Sequence, residues 1–511
     1  MQHLKKILED IYYGEISTHN ELQKAKMKYC KEFGISELPR NSELLKYVEE
    51  VEGVKRQDVI SVLQRKPARK KSGVTVIACM TSPAECPHGK CIMCPGGPNK
   101  ESPSPQSYTG NEPAALRAER NDFDPKKQVE DRLRQYEAIG HKIDKVDLIV
   151  MGGTFPAREW EYQKSFVKGC LDGLNGSVST SLDEAKKINE TADIRCIGLT
   201  IETRPDYCKE QQIDQMLELG ATRVELGVQS LRDELLDNIN RGHTVKDTIE
   251  STKLAKERGF KVCYHMMPGL PGSNIQDDLR EFKILFDDER FKPDMLKIYP
   301  TLVVEGTELY EMWKEGKFVP LNTEKASKLV AKMKSIVPPY VRIQRVQRDI
   351  PSPLVDAGVK KSNLRQYARK ELKNMGLECD CIRCREAGHS NKEINISDID
   401  MKIIDYRASD GREYFLEIGV DSIIIGYSRL RICDSNPPII RELKVIGSMT
   451  PVQKQGDKYQ HKGIGKKLVQ ECEKIASSEA ERLRVISGVG AREYYKNLGY
   501  ELDGYYMVKK F

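Results

Sequence analysis

The spacing of apolar positions changes at two points along the chain and predicts three kinds of structure. Over residues 1–60, apolar residues recur every three or four positions, which is typical of amphipathic helices. From residue 74, apolar and β-branched runs alternate with helical segments. Strands separated by helices are parallel, because parallel neighbours need a crossover connection. The runs predict a six-unit partial (β/α) barrel with its active site at the C-terminal strand ends; they lie at residues 74–80, 146–151, 194–201, 223–228, 261–267 and 295–299.

Beyond residue 400 the pattern becomes that of antiparallel strands, followed by a glycine-punctuated helix, a further strand and a short helix. We therefore expect an α/β barrel followed by a mixed α+β domain. The predicted division is an N-terminal helical domain at 1–63, a basic linker at 64–73, the partial barrel at 74–368, a cysteine-rich linker at 369–392 and the last domain at 393–511.

Composition places the chain among globular proteins. Hydrophobic residues make up 39% and charged residues 31% of its 511 positions, which provides enough apolar material for packed cores. The sequence has no run of about 18 apolar residues and no apolar leader, so we expect no membrane span, no signal peptide and a cytoplasmic location. The 14 cysteines are spread unevenly, with four between residues 79 and 94 and three between residues 379 and 384, and close clusters in a reducing compartment indicate metal ligands.

The first cysteine cluster follows the first predicted strand. Cys86, Cys91 and Cys94 lie in one loop. Three thiolates leave one iron of a 4Fe–4S cluster open to the amino and carboxylate groups of S-adenosylmethionine (SAM). The spacing of four residues and then two differs from the usual three and two of radical SAM enzymes, and zinc is the alternative metal. Cys79 could substitute as a ligand, but we expect it to pack within the strand.

Small and polar residues end the next four predicted strands. Glycines at the second strand end would admit the methionyl amino group, and charged residues at the third could contact ribose or carboxylate. Because the C-terminal ends of parallel strands meet at one face, we predict that these residues bind SAM together. The set comprises Gly152, Gly153, Glu202, Arg204, Gln229 and His265.

A second glycine-rich segment begins a helix in the last domain. Free N–H groups at a helix N-terminus can bind a pyrophosphate, so the segment is a candidate site for acetyl-CoA; it consists of Gln460, His461, Lys462, Gly463, Ile464 and Gly465. Tyr494 and Tyr495 follow on a short helix. We expect one of them to donate a proton to a departing thiolate, with Tyr494 also contacting the cofactor, and the other to pack in the core.

A third cluster lies between the two catalytic candidates. Cys379, Cys381 and Cys384 fall within six residues, with His389 five positions further on. This set suits a tetrahedral zinc ion that would fix the orientation of the two domains. The alternative is a group of free thiols at a domain junction.

Three basic stretches surround these sites and suit a phosphate backbone. A solvated charged face is the alternative for any one of them. The predicted RNA-binding residues are Arg65, Lys66, Arg69, Lys70, Lys71, Arg342, Arg345, Arg348, Lys360, Lys361 and Arg365.

These motifs, in this order, resemble the catalytic subunit family of Elongator, which modifies the wobble uridine of tRNA. The resemblance covers roughly residues 60–511 and is closer to archaeal or bacterial members. Residues 460–500 are similar to the GNAT acetyltransferase fingerprint. Five further blocks carry the resemblance: Cys-Pro-Gly-Gly-Pro at 94–98, Gln-Ser-Tyr-Thr-Gly at 106–110, Met-Gly-Gly-Thr-Phe at 151–155, Arg-Val-Gln-Arg-Asp-Ile-Pro at 345–351 and Ile-Ser-Gly-Val-Gly at 486–490.

The resemblance implies a partial (β/α)6 radical SAM barrel followed by a GNAT acetyl-CoA-binding domain. It implies that a 5′-deoxyadenosyl radical activates the methyl carbon of acetyl-CoA, which then adds to carbon-5 of the uridine as a carboxymethyl group. The partner would be the anticodon stem-loop of tRNA, with Elongator-like subunits or without them. Tyr299 is the expected active-site residue at a strand end. Lys145 is expected at the active site or against acetyl-CoA or RNA, and a lysine at the surface with no such role is the alternative.

Two other functions remain open from the sequence. The chain could be a protein acetyltransferase of the histone-lysine type, which would leave the cysteine loop and the basic stretches without a purpose. It could also be a non-catalytic assembly subunit that binds tRNA and senses acetyl-CoA.

Overall fold

The computed structural model describes residues 2–39, 41–51, 54, 59, 62, 73–100, 102–389, 398–446 and 463–511. The chain begins with a small helical unit made of α1 (Gln2–Tyr12), α2 (His19–Glu32) and α3 (Asn41–Tyr47). Thr18 and Glu21 form a capping box that fixes the start of α2. Its core has Ile7, Leu8 and Leu44 fully buried, as the helical spacing of the apolar residues predicted.

Seven parallel strands form the central sheet, in chain order from first to last. They are β1 (Thr75–Met80), β2 (Lys145–Met151), β3 (Arg195–Thr203), β4 (Arg223–Gln229), β5 (Lys261–Met266), β6 (Met295–Ile298) and β7 (Arg342–Val346). The partial barrel is confirmed, and it has one strand more than the six units predicted. The seventh strand was missed because Arg342 and Arg345 obscure its apolar positions, of which Ile343 and Val346 are buried.

Helices cover the outside of this sheet and supply the crossover connections. Phe166, Val167 and Leu171 show how they pack, since all three are buried against the barrel core. The helices are α4 (Pro113–Arg120), α5 (Pro125–Glu137), α6 (Trp160–Asn175), α7 (Leu182–Asn189), α8 (Glu210–Glu218), α9 (Asp233–Asn238), α10 (Val245–Glu257), α11 (Ile275–Asp287), α12 (Glu308–Lys314) and α13 (Thr323–Ile336). Then α14 (Leu364–Asn374) and α15 (Ile382–Arg385) lead to the last domain.

The last domain is a seven-stranded mixed sheet with the order β13-β14-β12-β11-β10-β9-β8. Its elements are β8 (Asp400–Ala408), β9 (Gly411–Val420), β10 (Ile423–Cys433), β11 (Asn436–Val445), α16 (Ile464–Ser477), β12 (Arg482–Val485), α17 (Arg492–Lys496), β13 (Glu501–Asp503) and β14 (Tyr506–Lys510). The parallel pairing of β11 with β12 is confined to Ile439↔Arg484 and Ile440↔Val485. Beyond these pairs the two strands part and leave an opening in the sheet.

The last domain packs against the N-terminal ends of the barrel strands. Arg441 of β11 donates to both carboxylate oxygens of Asp294, over 2.7 and 2.6 Å, and to Glu413 over 2.8 Å. All three side chains are fully buried. Gly488 lies so close to the start of β3 that a Cβ would overlap the carbonyl oxygen of Ile197, so the backbones of the two domains touch directly.

Within the described part of the chain, no helix combines the length and the apolar character needed to cross a membrane.

Candidate active sites

The first site lies at the C-terminal ends of the barrel strands, in the loop that follows β1. Cys86 and Cys94 are half-buried and Cys91 is buried. The pKa of Cys91 is lowered to about 6, first by its hydrogen bond with Cys94 and then by the Arg241 guanidinium. Burial raises the pKa of Cys86. The loop therefore presents one thiol that ionises readily beside two that need a metal ion to do so.

The surroundings of these thiols fit an iron–sulfur cluster with SAM. A Cβ on Gly152 would overlap Thr81 Oγ1, and Gly153 has a φ of +80°, which other residues rarely adopt. A Cβ on Gly153 would lie 3.9 Å from Cys86 Sγ, so the bare backbone after β2 faces the cysteine loop. Arg204 Nη1, Gln229 Oε1 and Arg241 Nε are buried without a hydrogen-bond partner among the described residues. Such donors and an acceptor suit a zwitterionic ligand beside the cluster.

The backbone at the end of β4 is strained at a predicted SAM-binding residue. Gln229 has a φ of +68°, in the left-handed region that residues other than glycine rarely adopt. The side-chain amide nitrogen of Gln229 lies so close to Gly227 that a Cβ placed on this glycine would be 3.2 Å from it. Strain of this kind collects at ligand sites, which supports the prediction that Gln229 faces a ligand.

Below the cluster loop, a layer of paired charges crosses the barrel interior. Lys297 Nζ lies 3.4 Å from Glu202 and in closer contact with Glu225. His265 Nε2 lies 2.8 Å from Glu225 Oε2, and Tyr108 donates to Glu202 over 2.7 Å. Two predicted SAM-binding residues, Glu202 and His265, thus take part in a network of ion pairs and hydrogen bonds inside the barrel.

The charges in this layer are set by burial and by pairing. Burial opposes the charge on Lys297, but the Glu225 carboxylate raises its pKa above the ordinary range. Burial also opposes the charge on Glu225, and Lys297 lowers its pKa. Burial and then Lys297 lower the pKa of His265, so its imidazole is neutral near pH 7. Sequence reasoning missed Lys297 and Glu225, because their side chains meet only through the strand register. It missed the role of Tyr108 because a loop brings this residue to Glu202 from 94 positions away.

The two residues expected near the reaction lie at opposite ends of the barrel. Tyr299 follows β6 at the cluster face, and its ring packs edge-on against His265 with centroids 5.5 Å apart. Lys145 begins β2 at the end that faces the last domain, with Nζ 3.8 Å from Asp144. Burial lowers the pKa of Lys145.

The second site lies where β11 and β12 part. Helix α16 begins here after Gly463, which has a φ of +81°. A Cβ on Gly465 would lie 2.8 Å from Tyr494 Oη, so this hydroxyl faces the first turn of the helix. Burial raises the pKa of Tyr494 to about 12, so the hydroxyl holds a proton that it could donate. Tyr495 is buried in the domain core.

Three residues of the predicted acetyl-CoA segment, Gln460, His461 and Lys462, lie outside the described residues. Gly463, Ile464 and Gly465 lie inside them, at the N-terminus of α16.

A cavity of about 890 Å³ lies between the two domains. On the side of the last domain it is lined by Lys444 of β11 and Ser487 beyond β12, where the sheet opens. On the barrel side it is lined by Arg223 and reaches Lys297. Lys297 belongs to the layer of paired charges in which Glu202 also accepts from Tyr108, and the Tyr108 backbone carbonyl lies against Gly96 of the cluster loop. The cavity therefore extends from the sheet opening to the Lys297 layer, and that layer in turn contacts Tyr108 beside the cluster loop.

The third cysteine cluster has the geometry of a metal site. The Sγ atoms of Cys379, Cys381 and Cys384 all lie within 4.8 Å of one another. Lys334 Nζ lies 3.2 Å from Cys379 Sγ and 3.4 Å from Cys384 Sγ. The His389 side chain is outside the described part of the structure.

The predicted RNA-binding residues lie in different surroundings. Lys360 and Lys361 are exposed just before α14. Arg365 donates to the carbonyl of Ile343 over 3.1 Å. The other arginines hold internal partners: Arg342 donates to Glu386 over 2.7 and 3.1 Å, Arg345 to Asp349 over 2.5 Å, and Arg348 to the Ser107 carbonyl. Arg65, Lys66, Arg69, Lys70 and Lys71 fall outside the described residues.

Four family models match the chain and together span most of it. The ELP3 N-terminal domain matches residues 1–70, and the radical SAM superfamily matches residues 82–282. The radical SAM C-terminal domain matches residues 293–374, and the GNAT acetyltransferase domain matches residues 399–510. The GNAT model covers the whole of the second site.

Relatives are similar over nearly the full length. The chain is 48% identical to a tRNA uridine(34) acetyltransferase of Methanocaldococcus jannaschii, over 99% of this chain and 97% of the relative. It is 42% identical to Elongator complex protein 3 of Homo sapiens, over 96% and 93%. A solved structure of the archaeal Methanocaldococcus infernus Elp3, with an N-terminal deletion, is 46% identical with a TM-score of 0.76 and covers 86% of this chain and 100% of its own.

Proposed function

Because the chain belongs to the family of the tRNA uridine(34) acetyltransferases and Elongator complex protein 3, we propose that it forms 5-carboxymethyluridine at the wobble position of tRNA. The cosubstrates would be SAM and acetyl-CoA. The observation that carries the proposal is the cavity of about 890 Å³ that extends from the opening of the GNAT sheet to Lys297 inside the barrel. One chain thus offers a candidate acyl-CoA site and a candidate radical site on the two sides of one cavity and its charged layer.

The residues divide into two binding sets. Cys86, Cys91 and Cys94 would hold the iron–sulfur cluster, and SAM would bind against Arg204, Gln229 and the two glycines that end β2. When bound, cluster and SAM supply a 5′-deoxyadenosyl radical that can take a hydrogen atom from an unactivated methyl carbon. Because the surrounding strands are buried, the barrel interior excludes water from this chemistry.

Acetyl-CoA would enter from the GNAT side. Its pyrophosphate would accept hydrogen bonds from the first turn of α16, at Gly463, Ile464 and Gly465. Its acyl end would pass between β11 and β12 into the cavity, towards Lys297. Tyr494, protonated and aimed at the same turn, would donate a proton to the departing thiolate. Lys145 would contact the acyl carrier or RNA at the domain junction, and Tyr299 would face the reacting atoms from above.

The proposed domain division assigns a role to each part. The helical domain at 1–63 and the basic linker at 64–73 would approach the tRNA. The barrel at 74–368 would carry the radical chemistry, the cysteine-rich segment at 369–392 would hold zinc, and residues 393–511 would bind acetyl-CoA. A tRNA substrate and reduced thiols suit a cytoplasmic enzyme.

Nucleoside mass spectrometry of tRNA tests the function directly. Anaerobically reconstituted chain, without other subunits, is incubated with reductant, SAM, tRNA and carbon-labelled acetyl-CoA. We expect a labelled two-carbon addition to uridine that is absent without SAM. No addition with an intact cluster and bound tRNA would contradict a self-sufficient enzyme. Acetyl transfer to a peptide without SAM would favour the histone-lysine type of acetyltransferase instead.

Lys360 and Lys361 provide a prediction for tRNA binding. Replacing both lysines by alanine removes two exposed cations just before α14. We therefore expect the affinity of the protein for tRNA to fall roughly tenfold at low salt. The slope of log affinity against log salt should become shallower by about 1.4–1.8, since each of the two phosphate contacts contributes about 0.7–0.9. Filter binding across a salt series measures both. The control is Lys474→Ala, an exposed lysine of α16 in the other domain. An unchanged slope would contradict this interface.

The cysteine cluster at the junction predicts structural zinc. With three thiols within 4.8 Å of one another, we expect about one zinc ion per chain, held by Cys379, Cys381, Cys384 and His389. Elemental analysis of the purified protein measures it, and Cys384→Ser should lower the content. Cys433→Ser, a thiol of β10 outside the cluster, is the control. A folded protein with three titratable thiols and no zinc would disprove this site.

A further inference from the structure

A short turn after α9 holds the cluster loop in place. The backbone N–H of Ile92 donates to the carbonyl of Ile239 over 3.2 Å. Gly242, at a φ of +71°, lies against His88, whose Cβ would be 2.7 Å from a Cβ at that glycine. Asn240 between them has a φ of +53°. The turn at residues 239–242 is therefore shaped to fit the cysteine loop on both sides.

Arg241, within this turn, directs its guanidinium at a cluster thiol. Its Nη1 lies 3.7 Å from Cys91 Sγ, and its Nη2 donates to the carbonyl of Gly227 over 2.7 Å. A Cβ at Gly227 would displace Arg241 Nη2, so the glycine leaves room for the guanidinium in this position. The backbone of β4 thus fixes the side chain from one side, and its buried Nε has no partner among the described residues.

Two imidazoles lie close to Arg241 and the Cys91 sulfur. His88 Nε2 lies 3.2 Å from Cys91 Sγ. His243 is buried, and burial followed by the Arg241 and Arg204 charges lowers its pKa to about 2. His243 is therefore neutral near pH 7, and the Arg241 guanidinium is a cation in contact with the Cys91 sulfur.

We propose that Arg241 is a positioning residue that sets the reduction potential of the cluster held by Cys86, Cys91 and Cys94. The proposal rests on the proposed function. When a low-potential one-electron donor reduces the cluster, one negative charge is added to it. A cation and an N–H donor at a ligand sulfur stabilise this added charge, so they raise the reduction potential. Electron delivery to SAM would then depend on a residue that acts through the sulfur of a cluster ligand.

The test is a potentiometric titration of the reconstituted protein, followed by electron paramagnetic resonance of the reduced cluster. For Arg241→Gln we expect the ratio of reduced to oxidised cluster, at the wild-type midpoint, to fall roughly tenfold. For a one-electron couple this is a midpoint lowered by about 59 mV. Arg241→Lys keeps the charge but loses the planar fork, so its midpoint should lie between the two.

Two further variants distinguish an effect of Arg241 on the reduction potential from a purely structural role in holding the cysteine loop. Gly227→Ala keeps Arg241 but displaces its guanidinium, and it should lower the midpoint in the same direction. Arg280→Gln, an exposed arginine of α11, should leave it unchanged. Wild-type midpoints in all the cluster-loaded variants would overturn the proposal. So would loss of the cluster from every variant at wild-type circular dichroism, since Arg241 would then be needed for loading. If the variants show the shift but the wild-type protein forms no carboxymethyluridine, the proposed function alone is contradicted.

Discussion

Replacing Cys91 by alanine will abolish cluster binding and reduce 5′-deoxyadenosine formation from SAM to the level seen without reductant. Cys91 is the loop thiol whose pKa is lowered, to about 6, by its hydrogen bond with Cys94 and by Arg241. Burial raises the pKa of the other two, Cys86 and Cys94, as does the hydrogen bond with Cys91 in the case of Cys94. Removing the readiest thiolate leaves two ligands where three irons need one each. Iron content, the visible spectrum and chromatography of the nucleoside measure the loss.

The matched control is Cys79→Ala. Cys79 lies within β1 and is fully buried in the barrel core, so its replacement should cost some stability but keep the cluster and SAM cleavage. If Cys91→Ala still forms 5′-deoxyadenosine and the double variant does not, Cys79 would be a substitute ligand. If both singles and the double retain turnover, the cluster assignment to this loop is wrong.

The barrel could be predicted because its information is local. The strands β1 to β6 are four to nine residues long, and each contains a run of apolar residues. The order of the strands in the sheet is the same as their order in the chain. The order of the runs along the sequence therefore already describes the topology. The strand β7 could not be recognised in this way. Arg342 of this strand faces the domain junction, where it pairs with Glu386. Because a charged residue takes the place of an apolar one here, the apolar pattern that marks the other strands is interrupted.

The residues of the candidate sites also differ in whether local sequence indicates them. Gly152, Gly153 and Gln229 could be predicted because a strand end is a local feature and parallel strand ends share a face. The Lys297 layer could not, because its members come from β3, β4, β5 and β6 and meet only through strand register. Arg241 was missed for a related reason, since it reaches Cys91 from 150 positions away. The contact between the domains likewise joins residues 147 positions apart.

Replacing Asp294 by alanine will destabilise the contact between the two domains by about 3–5 kcal/mol, the usual cost of removing one partner from a buried ion pair. Asp294 accepts hydrogen bonds from Arg441 over 2.7 and 2.6 Å and from the Val262 N–H over 2.9 Å. It is fully buried, and Arg429 lies 3.6 Å away. Without this carboxylate, Arg441 keeps only Glu413 and Arg429 keeps Glu442 as acidic partners among the described residues. Urea unfolding followed by fluorescence measures the loss.

The control is Lys253→Ala, which removes an ion pair between the same two domains at the surface. Lys253 Nζ lies 2.7 Å from Asp410, and both side chains are exposed, so the cost should be below about 1 kcal/mol. A comparison of two activities also tests whether the ion pair aligns the two domains. Because Arg441 lies in the wall of the cavity between the two domains, Asp294→Ala should impair transfer of labelled acetyl carbon to tRNA more than SAM cleavage alone. Equal losses of both activities, or equal stability of the two variants, would show that this ion pair does not hold the two sites in register.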